Sequence, residues 1–328
     1  MLNYKSFRML SWVIALALAF WLFRNLQFGI IVETITNLTV MQWVTWLLIN
    51  LCIIFVFVWR WLVLTKGLGL KLHFLDLLLL RQAGQTISFI TPGPQFGGEP
   101  LQIFILLKRY LISPSDSVFA VAADRFFELW VNFAVLLIGI IILLSTESGL
   151  ADWFSIALII SLLLVLLSFF AWLLIKQQNK VSASINKFSQ KWLSNSRLSN
   201  VNFHLTMENE SLNKLLTNRT ALSYGLILSL AGWLLTFLEL YLVLSFFDIY
   251  LSINQFVLLL VAMRLAFLLP LPGGIGTLEA AVFWSFSALS LPIGFAAALL
   301  SLIRFRDVLM LISGFICLRL LQPKTVAV

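Results

Sequence analysis

Two glutamates stand behind Pro-Gly turns, 180 positions apart, in a chain otherwise built of apolar runs. The first turn is TPGPQFGGE at 91–99 and the second PLPGGIGTLE at 270–279. Pro92 and Pro272, Gly93 and Gly273, and Glu99 and Glu279 all share the offset of 180. After each turn an apolar run carries a charged cluster. The first is Asp124, Arg125 and Glu128, and the second is Arg304, Arg306 and Asp307. Charge at mid-bilayer costs about 3 kcal/mol or more per group unless it is paired or hydrated. Arginine presents a planar fork suited to phosphate, and carboxylates attract a cationic or hydroxylated group. The chemistry on offer is recognition of a phosphate-bearing head group. A plainer reading makes Glu99–Arg125 and Glu279–Arg304 salt bridges that lock each turn to the following span, although buried pairs are weak evidence for stability. The readings are compatible, since one pair can serve as gate and as site.

Other polar residues lie inside apolar runs. Arg264 sits about one and a half helical turns before Pro270 and faces the same region. Arg81, Gln82 and Gln85 share a helical face, and read either as a site or as a polar face packed on protein. Glu239 is a candidate proton carrier or an internally hydrogen-bonded residue, while Asp76 and Arg60 read as interfacial, Arg60 by snorkelling. Enzyme signatures such as GxSxG, a P-loop or HExxH do not occur. His73 and His204 are isolated, and Cys52 and Cys317 lie in apolar runs. The sequence therefore predicts no metal, no cofactor, no disulfide and no enzymatic activity.

The elements that position these residues follow from composition. The chain has 328 residues, 61% hydrophobic and 11% charged, with mean hydropathy +1.01. Soluble domains run near 45–50% apolar and about 25% charged, so the fold class is all-α, a polytopic helical membrane protein. Full spans are expected at about 9–23, 41–64, 117–145, 153–175, 221–247 and 292–321. Two further stretches are broken, 74–90 then 100–112, and 253–269 then 280–291. Their turns hold Pro92, Gly93, Gly97 and Gly98, and Pro272, Gly273, Gly274 and Gly276. Such breaks cannot face lipid and must be buried or line a wet cavity, so each stretch reads as a re-entrant hairpin. Three crossings separate the hairpins, which makes the expected halves an inverted repeat, with cores 74–145 and 253–321 in a single domain 1–328. Residues 176–220 read as a basic linker, with Val181, Ile185, Phe188 and Trp192 on one amphipathic face. At 1.5 Å per residue, Glu99, Arg125, Glu279 and Arg304 all fall roughly 16–20 Å from a membrane face and should meet near the middle. Basic residues gather in the loops that become cytoplasmic if both termini are cytoplasmic. The net charge of +8 thus reports orientation in a cell membrane rather than a nucleic-acid partner.

Taken together, Arg60-Trp61, TPGPQFGGEP, the Asp124-Arg125 to Glu128 cluster, PLPGGIGTLE and the final span with Arg304, Arg306 and Asp307 resemble a known family. It is the lysylphosphatidylglycerol synthase transmembrane-region, or flippase-like, family, and the resemblance covers about 5–321. Where relatives often carry a plain Pro, a basic residue and Gly-Glu, the first hairpin here has TPGPQFGGE. The resemblance implies an inner-membrane protein that moves lipid between leaflets. Bifunctional relatives add a soluble aminoacyl-transferase domain; this sequence ends at Val328, and lysylphosphatidylglycerol synthesis is not expected of it. The expected function is translocation of a phosphate-bearing phospholipid, aminoacyl-lipid or polyprenyl-linked lipid, with membrane lipid as partner. The expected head-group site is Glu99, Asp124, Arg125, Glu128, Arg264, Glu279, Arg304, Arg306 and Asp307. Alternatives are an ion-coupled small-solute transporter and a non-transporting partner of an envelope glycosyltransferase or synthase.

Overall fold

Thr39 and Gln42 close the first described helix with a reciprocal capping box, and Ser252 and Gln255 repeat the device later in the chain. The computed structural model describes residues 36–91, 97–146, 151–176 and 209–321. Its helices are α1 (Val40–Gly67), α2 (Phe74–Ile90), α3 (Glu99–Lys108), α4 (Pro114–Thr146) and α5 (Ala151–Lys176). After them come α6 (Asn209–Thr217), α7 (Arg219–Phe246), α8 (Ile253–Leu268), a 3-10 turn (Pro272–Gly274), α9 (Thr277–Ala288) and α10 (Ile293–Leu321). No strand occurs among the described residues. Helices α1, α4 and α7 are long and apolar enough to cross a bilayer, and α5 and α10 run 26 and 29 residues. Phe154, Leu158 and Val165 on α5, and Ile312, Phe315 and Ile316 on α10, face outward, as lipid-contact residues do. The chain is an all-α polytopic membrane protein. The expected span at 9–23, the face marked by Val181, Ile185, Phe188 and Trp192, and the turn residues Pro92 and Gly93 lie outside the described residues.

The broken stretches form two hairpins, α2–α3 and α8–α9. Limb α3 has 10 residues and α9 has 12, so they are ~15 and ~18 Å long, well short of a ~30 Å hydrocarbon core. In the first hairpin the base is closed. Tyr110, just after α3, donates its hydroxyl to Asp76 in the first turn of α2 at 2.8 Å. Burial, reinforced by that carboxylate, pushes the Tyr110 phenol up to about 12.

The limbs of the first hairpin cross glycine to glycine. A Cβ on Gly98 would land on the carbonyl of Gly84, and one on Gly84 would strike Gln102. Because the obstacle at Gly98 is backbone, it cannot rotate away. Gly98→Ala is therefore expected to cost about 1–3 kcal/mol or more, read as a lowered melting temperature of the purified protein in detergent.

Packing of the hairpins is reciprocal. α2 lies against α10, where Gly314 leaves room for Thr86 and the Gln82 carbonyl. α8 lies against α4, where Gly139 faces Val261. The helices that precede the hairpins, α1 and α7, pack on each other, with Leu64 over Gly225 and Phe57 over Gly232. Small residues at such crossings let helices approach within a membrane, where no hydrophobic force drives them together. The tips also touch: the Phe89 ring at the end of α2 covers Gly273 in the second turn.

Candidate functional site

Asp124 on α4 is clamped by two arginines. Arg60 of α1 donates Nε to Oδ1 at 2.8 Å, and Arg81 of α2 donates Nη1 to Oδ2 at 2.7 Å. Both guanidinium groups lie over the Phe57 ring, 5.1 and 5.2 Å from its centroid. One helical turn on, Glu128 accepts from Arg60 and Arg81 at 3.4 Å each, and from Arg125 at 3.2 Å. Arg125 also forms an ion pair with Glu99 of the hairpin limb, Nε to Oε1, at 2.7 Å. The other Glu99 oxygen accepts the Gly97 amide at 2.8 Å, so this carboxylate ties the turn to α4.

A second cluster is built by the same rules. Arg304 on α10 donates Nε to Glu279 Oε1 at 2.7 Å, while Glu279 Oε2 accepts the Gly276 amide at 2.7 Å. Gly276 has φ +88°, in the left-handed region where a side chain is strained. Arg304 also bonds Asp307, three residues on, at 2.9 Å, and the turn carbonyls of Gly273 and Gly274 at 3.0 and 3.3 Å. In both halves, then, a limb glutamate gives one oxygen to a turn amide and the other to an arginine, which in turn holds an acid three residues along its own helix. Arg306 bonds both oxygens of Glu239 at 3.0 Å, and Asn50 of α1 donates to the same carboxylate at 3.1 Å.

Between the clusters lie two adjoining cavities. One, of about 130 Å³, is lined by Arg60, Arg125, Glu128, Asn132, Trp233 and Arg264 among others. The other, of about 60 Å³, is lined by Trp46, Glu239, Met263, Arg264 and Arg306 among others. Thr236, Arg264 and Phe267 belong to both walls. A buried water needs on the order of 10–15 Å³, so each cavity has room for several.

All nine residues expected at the head-group site lie in or beside this polar core. Sequence reasoning misplaced Arg60: it does not snorkel to an interface but is 0% exposed at the centre of the first cluster. The reason is that α1 is enclosed on that side by α2, α4 and α7, and Asp124 supplies the countercharge. Arg81 belongs to the same cluster, and Asn50 was not anticipated. Gln82 is buried where α2 meets α10, and Gln85 is half-buried. The four central charges form their two expected pairs, but among the described residues no ion pair joins one pair to the other. Arg125 and Arg304 are already committed to local acids, and Arg304 also to turn carbonyls. A charge count carried the missing signal: Glu99, Asp124 and Glu128 against Arg125 alone leave two negative charges, which Arg60 and Arg81 neutralise.

Helices with apolar outer faces around a charge-paired core with two short hairpins define a polytopic helical membrane protein with a polar interior. The chain belongs to the family described as lysylphosphatidylglycerol synthase TM region, whose match spans residues 8–314. It is similar to a UPF0104 membrane protein of Methanothermobacter thermautotrophicus, 27% identical over 264 residues, covering 75% of each chain.

Proposed function

We propose that the chain is a lipid translocase, not an enzyme, that passes a phosphate-bearing lipid between leaflets of the cell membrane. The lipid classes are a phospholipid, an aminoacyl-lipid or a polyprenyl-linked lipid. The observation that carries the proposal is a polar core between two hairpins whose tips touch, surrounded by helices that turn apolar side chains outward. In that core six arginines (60, 81, 125, 264, 304 and 306) stand with six carboxylates (99, 124, 128, 239, 279 and 307). A charge-balanced polar core of this kind lowers the cost of carrying a charged head group through hydrocarbon. The reciprocal packing of α2 on α10 and α8 on α4 supports reading the halves as an inverted repeat, in which one half rocks against the other around a fixed site. With no nucleotide-binding motif, transport is passive or ion-coupled. For proton coupling the proposed carrier is Glu239, whose carboxylate holds Arg306.

Reconstituted protein is expected to speed the loss of tail-labelled phosphatidylglycerol fluorescence from the inner leaflet on dithionite addition, relative to protein-free vesicles. Arg125→Ala is expected to return exchange to the protein-free rate while the protein still inserts. Equal rates for wild-type and protein-free vesicles would sink the proposal.

A further inference from the structure

Arg264 differs from every other arginine of the polar core. Arg60, Arg81, Arg125, Arg304 and Arg306 are each in an ion pair with one or two carboxylates. Among the described residues, no hydrogen bond or ion pair is made by the Arg264 side chain. Its contact is with Trp233, whose ring centroid lies 4.5 Å from the guanidinium carbon. Stacking uses the face of a guanidinium and leaves the five N–H donors on its edge unspent. Those donors border both cavities, because Arg264 is common to the two walls.

The surroundings select the ligand's charge. Arg60, Arg125 and Arg264 line the larger cavity against one carboxylate, Glu128, with Asn132 as a neutral donor and acceptor. Both paired arginines there are held by acids, so the capacity left over is that of Arg264. Arg264 is only partly buried, so its edge is open to the cavities, and an oxyanion with two oxygens in one plane is the partner that edge fits.

We infer that Arg264, stacked on Trp233 where the two cavities meet, is the single contact that grips the phosphate ester of the transported molecule, while the paired arginines hold the hairpins in place. The inference takes its ligand class from the translocase reading, but the binding measurement below stands apart from transport. Because one residue serves both cavities, the phosphate keeps one partner as it moves from the Arg125–Glu128 side to the Arg306–Glu239 side.

The test is equilibrium binding to the detergent-solubilised full chain. The probes are dihexanoyl phosphatidylglycerol, inorganic phosphate and a short-chain diglucosyl diacylglycerol, which has no phosphate. Wild type is expected to bind the short-chain phosphatidylglycerol. Arg264→Gln is expected to weaken that affinity about 10- to 100-fold, with Arg264→Lys intermediate, because lysine keeps the charge without the fork. Affinity for the diglucosyl lipid should not change, and the melting temperature of the unliganded protein should shift only slightly, since the Trp233 contact is lost but no ion pair is broken. Phosphate binding as tightly as the phospholipid, with the same dependence on Arg264, would keep the contact and assign it to a free phosphorylated solute. Unchanged phosphatidylglycerol affinity in Arg264→Gln would overturn the inference, and so would an equal loss for the diglucosyl lipid or no binding by wild type. Intact, Arg264-dependent binding without leaflet exchange would reject the translocase reading and leave Arg264 as the phosphate contact.

Discussion

Arg304→Ala is expected to bring leaflet exchange of tail-labelled phosphatidylglycerol down to the protein-free rate. The side chain holds four acceptors at once: Glu279, Asp307 and the carbonyls of Gly273 and Gly274. Its removal leaves two buried carboxylates without a countercharge and frees the turn that Phe89 covers. Charge-assisted hydrogen bonds contribute about 1.5–3 kcal/mol each, so the second hairpin should lose its fixed position over α10. Arg304 thus acts through the hairpin as a positioning residue. Arg304→Lys separates charge from geometry: it keeps the cation but cannot span four acceptors, and exchange should fall about tenfold, a loss of about 1.4 kcal/mol. Exchange at the wild-type rate in Arg304→Ala would detach the second hairpin from the transport path. A monodisperse gel-filtration profile shows that the variant is folded.

The second large effect is on stability. Asp124→Ala removes the carboxylate shared by Arg60 and Arg81, whose side chains are 1% and 5% exposed. Breaking a buried pair costs about 3–5 kcal/mol, because the remaining charge is stranded. Glu128 stays within reach of both arginines at 3.4 Å and absorbs part of the loss. Thermal unfolding in detergent should show a large drop in midpoint for Asp124→Ala. The double variant Asp124→Leu with Arg81→Met should recover more than half of it, since it restores the charge balance. A double variant no more stable than the single one would show that the carboxylate acts by shape rather than by charge.

Much of this arrangement was legible in the residues. Proline and glycine at the two turns allowed no continuous helix, so the hairpins could be placed and their first limbs located: 74–90 was expected and Phe74–Ile90 is found, 253–269 was expected and Ile253–Leu268 is found. Glu99–Arg125 and Glu279–Arg304 followed from counting rise along straight helices. Arg60 was not legible, because an arginine beside tryptophan at the end of an apolar run looks the same whether it reaches for water or for a carboxylate. Only the neighbouring helices decide, and nothing local in the sequence places α2, α4 and α7 around it. The isolation of Arg264 was hidden for the same reason. Which of six arginines lacks a carboxylate partner depends on how the other five are paired across seven helices.

The reciprocal packing of the hairpins also constrains how the molecule is made. Helix α2 finds its neighbour only when α10 has been inserted, about 200 residues later. At roughly 5–20 residues per second, synthesis of the intervening chain takes on the order of 10–40 s. For that interval Thr86 and Gln82 on the first limb are in the membrane without the helix that finally covers them. Only the partners already made, α1, α3 and α4, can shelter the polar limb. Nascent chains arrested before α10 should therefore be held by membrane chaperones, and premature stop mutations in the last span should be cleared rather than accumulate as truncated protein.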